Sequence, residues 1–216
     1  MDCQAFSLCQ NFWSELLTAT FYDEAFPDGY FPEGGSRYYE VVRKLVDQPQ
    51  SDWWDDKATV DVVETRDDIF LRAFGASVTD IEQRYGTNLE AWPAWGQEHA
   101  AIFRNQTLGL SGISLIESIF NRGPFSTGGG ESIINATGWT LGSGFEVDWL
   151  PSMRMVVDLG NMNNSVTVHT TGESGHAYAP HYADMSPLWA TGQYYPMLWD
   201  DLSIVNGAES YLKLVP

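Results

Sequence analysis

A chain of 216 residues suits one domain or a domain and a half, and 44% apolar residues, with nine Trp, ten Tyr and eleven Phe, supply a core and exclude a disordered segment. The formal net charge of −18 repels phosphate backbones and anionic bilayers, so neither nucleic acid nor a membrane surface is an expected partner. No apolar run approaches the roughly 20 residues needed to span a bilayer, and "MDCQAFSLCQ" has neither the basic nor the apolar region of a signal peptide.

Phe12, Trp13, Leu16, Leu17 and Phe21 recur every three to four residues, which predicts an amphipathic helix over 8–22. Cys3 and Cys9 fall on different sides of such a helix and are expected as free thiols. "DEAFPDGYFPEGG" breaks regularity. "SRYYEVVRKLVDQP" predicts a second helix, with Ser36 as cap and Pro49 beyond its end. "SDWWDD" reads as an acidic turn; Trp53 and Trp54 could form a carbohydrate platform, but Trp beside a helix cap more often packs in a core or its rim. From Lys57 to Tyr85 the residues Val60, Val63, Phe70, Phe74, Val78, Ile81 and Tyr85 share a face. They predict one long helix, or two with a bend near Gly75. "WPAWGQEHAAIF" predicts a turn leading into a short helix or strand.

After about residue 120 the character changes, dividing a mainly helical segment (1–120) from a β-rich one (121–216). "NRGPFSTGGG" reads as a glycine-rich loop, and "ESIINA" as a short strand. The triple glycine is not a phosphate-binding loop, because no Gly-Lys-Ser/Thr follows. "RMVVDLGNMNNSVTVHTT" predicts a β-hairpin with strands near 153–159 and 165–170. Arg154, Val156 and Asp158 alternate with Met155, Val157 and Leu159 across its first strand.

Three of the four histidines lie in 169–181. His176 and His181 are interrupted by glycines and Pro180 and lack the helical spacing of a zinc pair. Ser174 has no nucleophile elbow around it. The segment reads as a tight loop in which His181 and Asp184 bond to its backbone amides and carbonyls, with Leu188 and Trp189 pinning it to the core. The neighbouring carboxylates Asp55–Asp56, Asp67–Asp68 and Asp200–Asp201 suit surfaces and helix starts.

The ordered phrases "SDWWDD", "ETRDDIFLRAF", "WPAWGQEHAAIF", "RGPFSTGGGESIINATGW" and "PSMRMVVDLGNMNNSVTVHTTGESGHAYAPHYADMSPLWATGQYYPM" resemble the C-terminal third of the penicillin amidase (penicillin acylase) family of N-terminal-nucleophile (Ntn) hydrolases. The likeness runs from about Cys9 to Trp199 and implies an α+β fold: a helical first half and a β-rich second half, part of an αββα Ntn-hydrolase sandwich. It implies a precursor that cuts itself and exposes a Ser at the start of its large β subunit. That Ser attacks an amide carbonyl with its own α-amine as base, through an acyl-enzyme that water releases.

The resemblance places Asn135 at the oxyanion-hole asparagine and Arg154 at the arginine that holds this asparagine and the nucleophile. The plainer alternatives are a strand asparagine bonded to its neighbour's backbone, and a salt bridge from Arg154 to Asp158. Glu173 stands where the family usually has Gln, and Asp184–Met185 replaces an Asp–Gln; both differences read as structural. The nucleophile cannot come from Met1-Asp2-Cys3, so the expected partner is the N-terminal part of an acylase precursor (the α subunit and the start of β), with a small acyl-amide as substrate. No cofactor is expected. A structural calcium ion belongs to the full-length family, with most ligands upstream, and none is assigned here. The parent family is periplasmic or extracellular. The alternative function is a non-catalytic binding domain on the same scaffold, and a weaker one is a histidine metallohydrolase at 169–181.

Overall fold

The computed structural model describes residues 3–24 and 35–215; most of the irregular stretch expected at 23–35 lies outside them. Helix α1 (Gln4–Phe21) buries Ser7, Gln10, Asn11, Trp13, Leu16, Leu17, Thr20 and Phe21, the three-to-four spacing that the sequence predicts. Cys3 and Cys9 are exposed free thiols. Helix α2 (Ser36–Leu45) is preceded by Gly35 in extended conformation, so Ser36 begins the helix and is not its cap.

Helix α3 (Arg66–Tyr85) is a single helix that starts later than expected and runs through Gly75. Its start is chemical. Thr65 Oγ1 accepts from the Asp68 amide, and the Asp68 carboxylate accepts from the Thr65 amide at 2.9 Å, a reciprocal cap. Residues 57–65 stay outside it, and Val60 and Val63 are exposed. The buried stripe is Ile69, Ala73, Ser77 and Ile81, one position away from the expected Phe70–Phe74–Val78 row. Gly86 ends the helix at φ +86°, where a side chain is disfavoured.

The core joins Trp13, Leu16, Leu17 and Phe21 of α1, Val42 and Leu45 of α2, Ile69 and Ala73 of α3, and Trp54, Trp95 and Trp139. Trp54 is wholly buried and donates to Gln48 O at 2.9 Å, so it is a core residue; Trp53 remains partly exposed. A polar relay fixes the short helix α4 (Trp95–Glu98) against the longer ones. The Glu98 carboxylate receives Ser7 Oγ and Arg84, while Arg84 also reaches Asn11 Oδ1 at 2.7 Å and Asp80 at 2.6 Å. Strand β1 (Ala100–Phe103) follows; then come α5 (Ser114–Phe120) and β2 (Arg122–Ser126), and β2 pairs with β1.

"NRGPFSTGGG" is thus strand over Arg122–Ser126 rather than loop throughout, and "ESIINA" is a turn rather than a strand. The reason is Glu131, a buried carboxylate that accepts from Trp139 N at 3.1 Å and Trp149 Nε1 at 2.8 Å, curling the chain back. The adjoining Ile133 and Ile134 are left exposed.

The hairpin forms as predicted, with a shorter first strand. β3 (Met153–Val156) pairs antiparallel with β4 (Val166–His169), Arg154 opposite Val168, and β5 (Tyr195–Pro196) pairs with β4. Asp158 ends β3 by accepting from Gly160 N at 2.8 Å and Asn161 N at 3.2 Å. The strand order β3-β4-β5 leaves β3 at an edge. Helices α6 (Ser186–Thr191) and α7 (Asp201–Gly207) complete the element order. Leu202 and Val205 of α7, and Leu212 and Leu214 beyond it, are exposed.

These elements form an α+β structure in two compact units. One runs to Ile102 and resumes over Gly123–Leu150; the other comprises Phe103–Arg122 and Pro151–Pro216. Among the described residues no helix is long and apolar enough to cross a membrane.

The buried stripe of α3 predicts that Ile69→Ala costs about 2–5 kcal/mol, whereas Leu71→Ala, on the exposed face, stays within about 0.5 kcal/mol. Urea unfolding of the two variants, followed by tryptophan fluorescence, measures the difference.

Candidate active site

Asn135 sits in the first unit, on the turn that follows the triple glycine. Its carboxamide Nδ2 donates to Gly128 O at 2.7 Å. Its carbonyl oxygen accepts from Thr137 N at 2.9 Å and from Gly130 N at 3.2 Å. Side chain and main chain therefore both clasp the glycine loop. Gly129 permits this closeness. Its φ is +103°, and a Cβ there would lie 2.2 Å from Asn135 O and 2.8 Å from Asn135 Nδ2. The residue is half-buried. A primary amide carries two N–H donors, and only one is taken by Gly128. The plainer expectation of a strand asparagine bonded to backbone holds in part: no strand forms there, but the carboxamide does bond a backbone carbonyl, that of Gly128.

Behind the loop lies His99, the one histidine outside the 169–181 cluster, and it is fully buried. Its Nδ1 is 2.6 Å from Phe145 O and its Nε2 2.8 Å from Thr137 Oγ1. A carbonyl only accepts, so neutral His99 carries its proton on Nδ1, and Nε2 accepts from the Thr137 hydroxyl. Burial pushes the imidazole below its ordinary value, outweighing the Phe145 and Thr137 bonds and the nearby Asp148 charge, which pull it upward. Trp95 stacks on the ring at 4.5 Å, and its Nε1 donates to Gly129 O at 2.8 Å. Sequence reasoning passed over His99, Trp95 and Thr137. "WPAWGQEHAAIF" contains two of them, with a lone histidine four residues beyond a tryptophan in an otherwise apolar phrase.

Arg154 lies in the second unit, on β3. Its guanidinium covers the Trp189 ring at 4.8 Å, and Nη2 donates to Trp189 O at 2.6 Å. Burial lowers its pKa, which Tyr194 partly offsets. Arg154 Nε is buried with no hydrogen-bond partner among the described residues. The expected salt bridge to Asp158 does not form. That carboxylate is taken up by Gly160 N, Asn161 N and Asn164 Nδ2, which hold its pKa down, Asn164 first.

The histidine-rich loop is structural in each bond it makes. Gly172 N donates to Tyr182 O at 3.0 Å, and Ser174 N to His181 O at 2.9 Å. A Cβ on Gly172 would meet His181 O at 1.9 Å, so only glycine fits. His181 Nδ1 bonds Asp184 Oδ2 at 2.7 Å and Nε2 faces Glu209 at 3.2 Å, where backbone partners were expected. Trp189 is fully buried, as expected of the anchor. Among the described residues no group of three His, Cys, Asp or Glu side chains is placed to hold a metal ion.

The family model for penicillin amidase matches residues 1–205. The chain is similar to the acyl-homoserine lactone acylase QuiP of Pseudomonas aeruginosa, 28% identical over 95% of this chain and 26% of that protein. It is also similar to penicillin acylase 2 proenzyme of a Pseudomonas species, 33% identical over 56% of this chain and 16% of that protein. Among solved structures it matches a thermostable penicillin G acylase from Alcaligenes faecalis, with a TM-score of 0.47 and 15% identity over 99% of this chain and 38% of that one. The chain thus spans about a quarter of the length of the first of these relatives.

The depressed pKa of His99 sets a pH dependence. The unfolded chain binds a proton near pH 6.5 that the folded one resists, so stability is full above that value and falls as pH drops through it. His181 has the opposite sign, because Asp184 and then Glu209 raise it. In a His181→Ala chain, unfolding free energy should therefore decline between pH 7.5 and 5.5 by at most about 1.4 kcal/mol per pH unit, as read from urea titrations. A flat profile is incompatible with a neutral, buried His99.

Proposed function

The chain belongs to the penicillin amidase family, and from that premise we propose that it forms the part of an acyl-amide hydrolase that carries the oxyanion donor Asn135 and the supporting Arg154. The reaction is cleavage of an amide between a fatty, aromatic or dicarboxylic acyl group and an amine. A nucleophilic Ser with a free α-amine comes from polypeptide outside these 216 residues, consistent with the small share of each relative that the chain spans. The seryl oxygen attacks the carbonyl, the amine leaves, and water hydrolyses the acyl-enzyme.

The observation that carries this reading is the state of the Asn135 carboxamide. One N–H is fixed on Gly128 O at 2.7 Å, and a primary amide has a second N–H to give. A donor held beforehand is not reorganised as charge develops on the carbonyl oxygen, which is the condition for electrostatic stabilisation of a tetrahedral intermediate. Arg154 supports the reading in its own unit. A buried guanidinium N–H without a partner among the described residues is costly, and Nε is a donor of the kind that an N-terminal residue would satisfy.

The test is reconstitution with the rest of a related precursor. Asn135→Ala should lower kcat by about 100- to 1,000-fold with little change in KM, the effect of removing one oxyanion donor. Unchanged turnover would remove the oxyanion role, whereas no turnover from the reconstituted unmodified chain would leave a binding domain on the same scaffold as the better description.

A further inference from the structure

Gly128 O has three candidate donors, one of them the hydroxyl of the adjoining Thr127, whose oxygen lies 3.2 Å away. Asn135 Nδ2 lies 2.7 Å away, and the Thr137 hydroxyl oxygen lies 3.1 Å away. A hydroxyl has a single proton to give. Thr137 has a second outlet for it, His99 Nε2 at 2.8 Å. The ring can accept there because its other nitrogen is committed as a donor to Phe145 O at 2.6 Å. We infer that His99 is a positioning residue for the Asn135 carboxamide: by accepting the Thr137 hydroxyl proton it keeps Thr137 from competing with Asn135 for the Gly128 carbonyl.

The surroundings fix this arrangement. Trp95 stacks on one face of His99, and Trp95 Nε1 holds the next carbonyl, Gly129 O, at 2.8 Å. Thr127 N donates to His99 O at 3.1 Å, so the histidine's backbone is tied to the same loop. Thr137 cannot drift, because its own amide donates to Asn135 O at 2.9 Å. With so little freedom, the hydroxyl chooses only between His99 Nε2 and Gly128 O. Without an acceptor at Nε2 the proton turns to Gly128 O. A carbonyl has two lone pairs; with Thr127 and Asn135 already on them, a third donor competes with the carboxamide, which is no longer held in one orientation. For catalysis this proposal rests on the oxyanion reading of Asn135, since a swivelling amide matters only if the amide meets substrate.

His99→Asn places an amide donor near the position of Nδ1, keeping the Phe145 bond, and deletes the acceptor. In the full chain, amide hydrogen exchange of the Asn135 side chain measured by NMR should accelerate about tenfold, the equivalent of one hydrogen bond. In the reconstituted enzyme kcat should fall by about the same factor with KM unchanged. Adding Thr137→Val removes the competing hydroxyl and should restore both quantities, which a purely structural role for His99 would not produce. The proposal is overturned if His99→Asn leaves exchange and kcat untouched, or if the double variant is no better than the single.

If His99→Asn fails to fold, the ring-nitrogen shifts of the unmodified chain decide. Protonated Nδ1 with Nε2 as acceptor supports the proposal, and the opposite tautomer overturns it. Should exchange follow the expected pattern while Asn135→Ala leaves turnover unchanged, the positioning stands and the oxyanion reading falls.

Discussion

Trp95 is where the core and the candidate site become one object. Its ring belongs to the apolar cluster that joins α1, α2 and α3, and it meets Phe6 edge-on at 5.4 Å. The same ring stacks on His99, and its N–H holds Gly129 O. Burial of a large amphipathic side chain is driven mainly by its apolar area, but the polar handle must still find a partner. Here that partner is the backbone of the glycine loop. The hydrophobic effect thus sets the height of a carbonyl beside Asn135. The loop itself can close only because Gly129 has no Cβ to strike Asn135.

How much of this was legible in the sequence depended on the range of the forces involved. The helix at α1 was readable because a spacing of three to four is a local consequence of helical geometry. The hairpin at 153–169 was readable for the same reason, through period-two alternation and an asparagine-rich turn. The start of α3 was missed because a reciprocal Thr65–Asp68 cap outweighed an apolar face that continued upstream. The turn at 131–136 was missed because its cause, the buried Glu131 carboxylate, acts on Trp139 and Trp149, eight and eighteen residues away. Asn135 and Arg154 came from family resemblance, not from any local signal. His99 carried a faint one, a solitary histidine in an apolar phrase, but its partners at 137 and 145 could be known only from the fold.

The second unit is organised around a tryptophan as well, by a different interaction. Arg154 lies over Trp189 and bonds its carbonyl, so a cation, an aromatic face and a backbone oxygen share one small volume. Three buried polar atoms there, Arg154 Nε, Trp189 Nε1 and Asp184 Oδ1, have no hydrogen-bond partner among the described residues. Native interiors rarely leave such groups unpaired. The loop from Gly172 to Asp184 explains one of them: Gly172 presses so close to Asp184 Oδ1 that a Cβ there would sit 2.4 Å from it, and the other carboxylate oxygen is taken by His181.

The open edge of β3 has a colloidal consequence. Four residues of strand present a row of amide and carbonyl groups on the side away from β4, beside the exposed Met153, Met155 and Val156. Such a row templates the addition of any extended segment, including the same segment of another molecule. Mutual repulsion from a net charge of −18 opposes such pairing. That repulsion vanishes near the isoelectric point of about 4.3 and shrinks with added salt. Mild acid and high ionic strength therefore turn a quiet strand edge into an adhesive one while leaving its backbone unchanged.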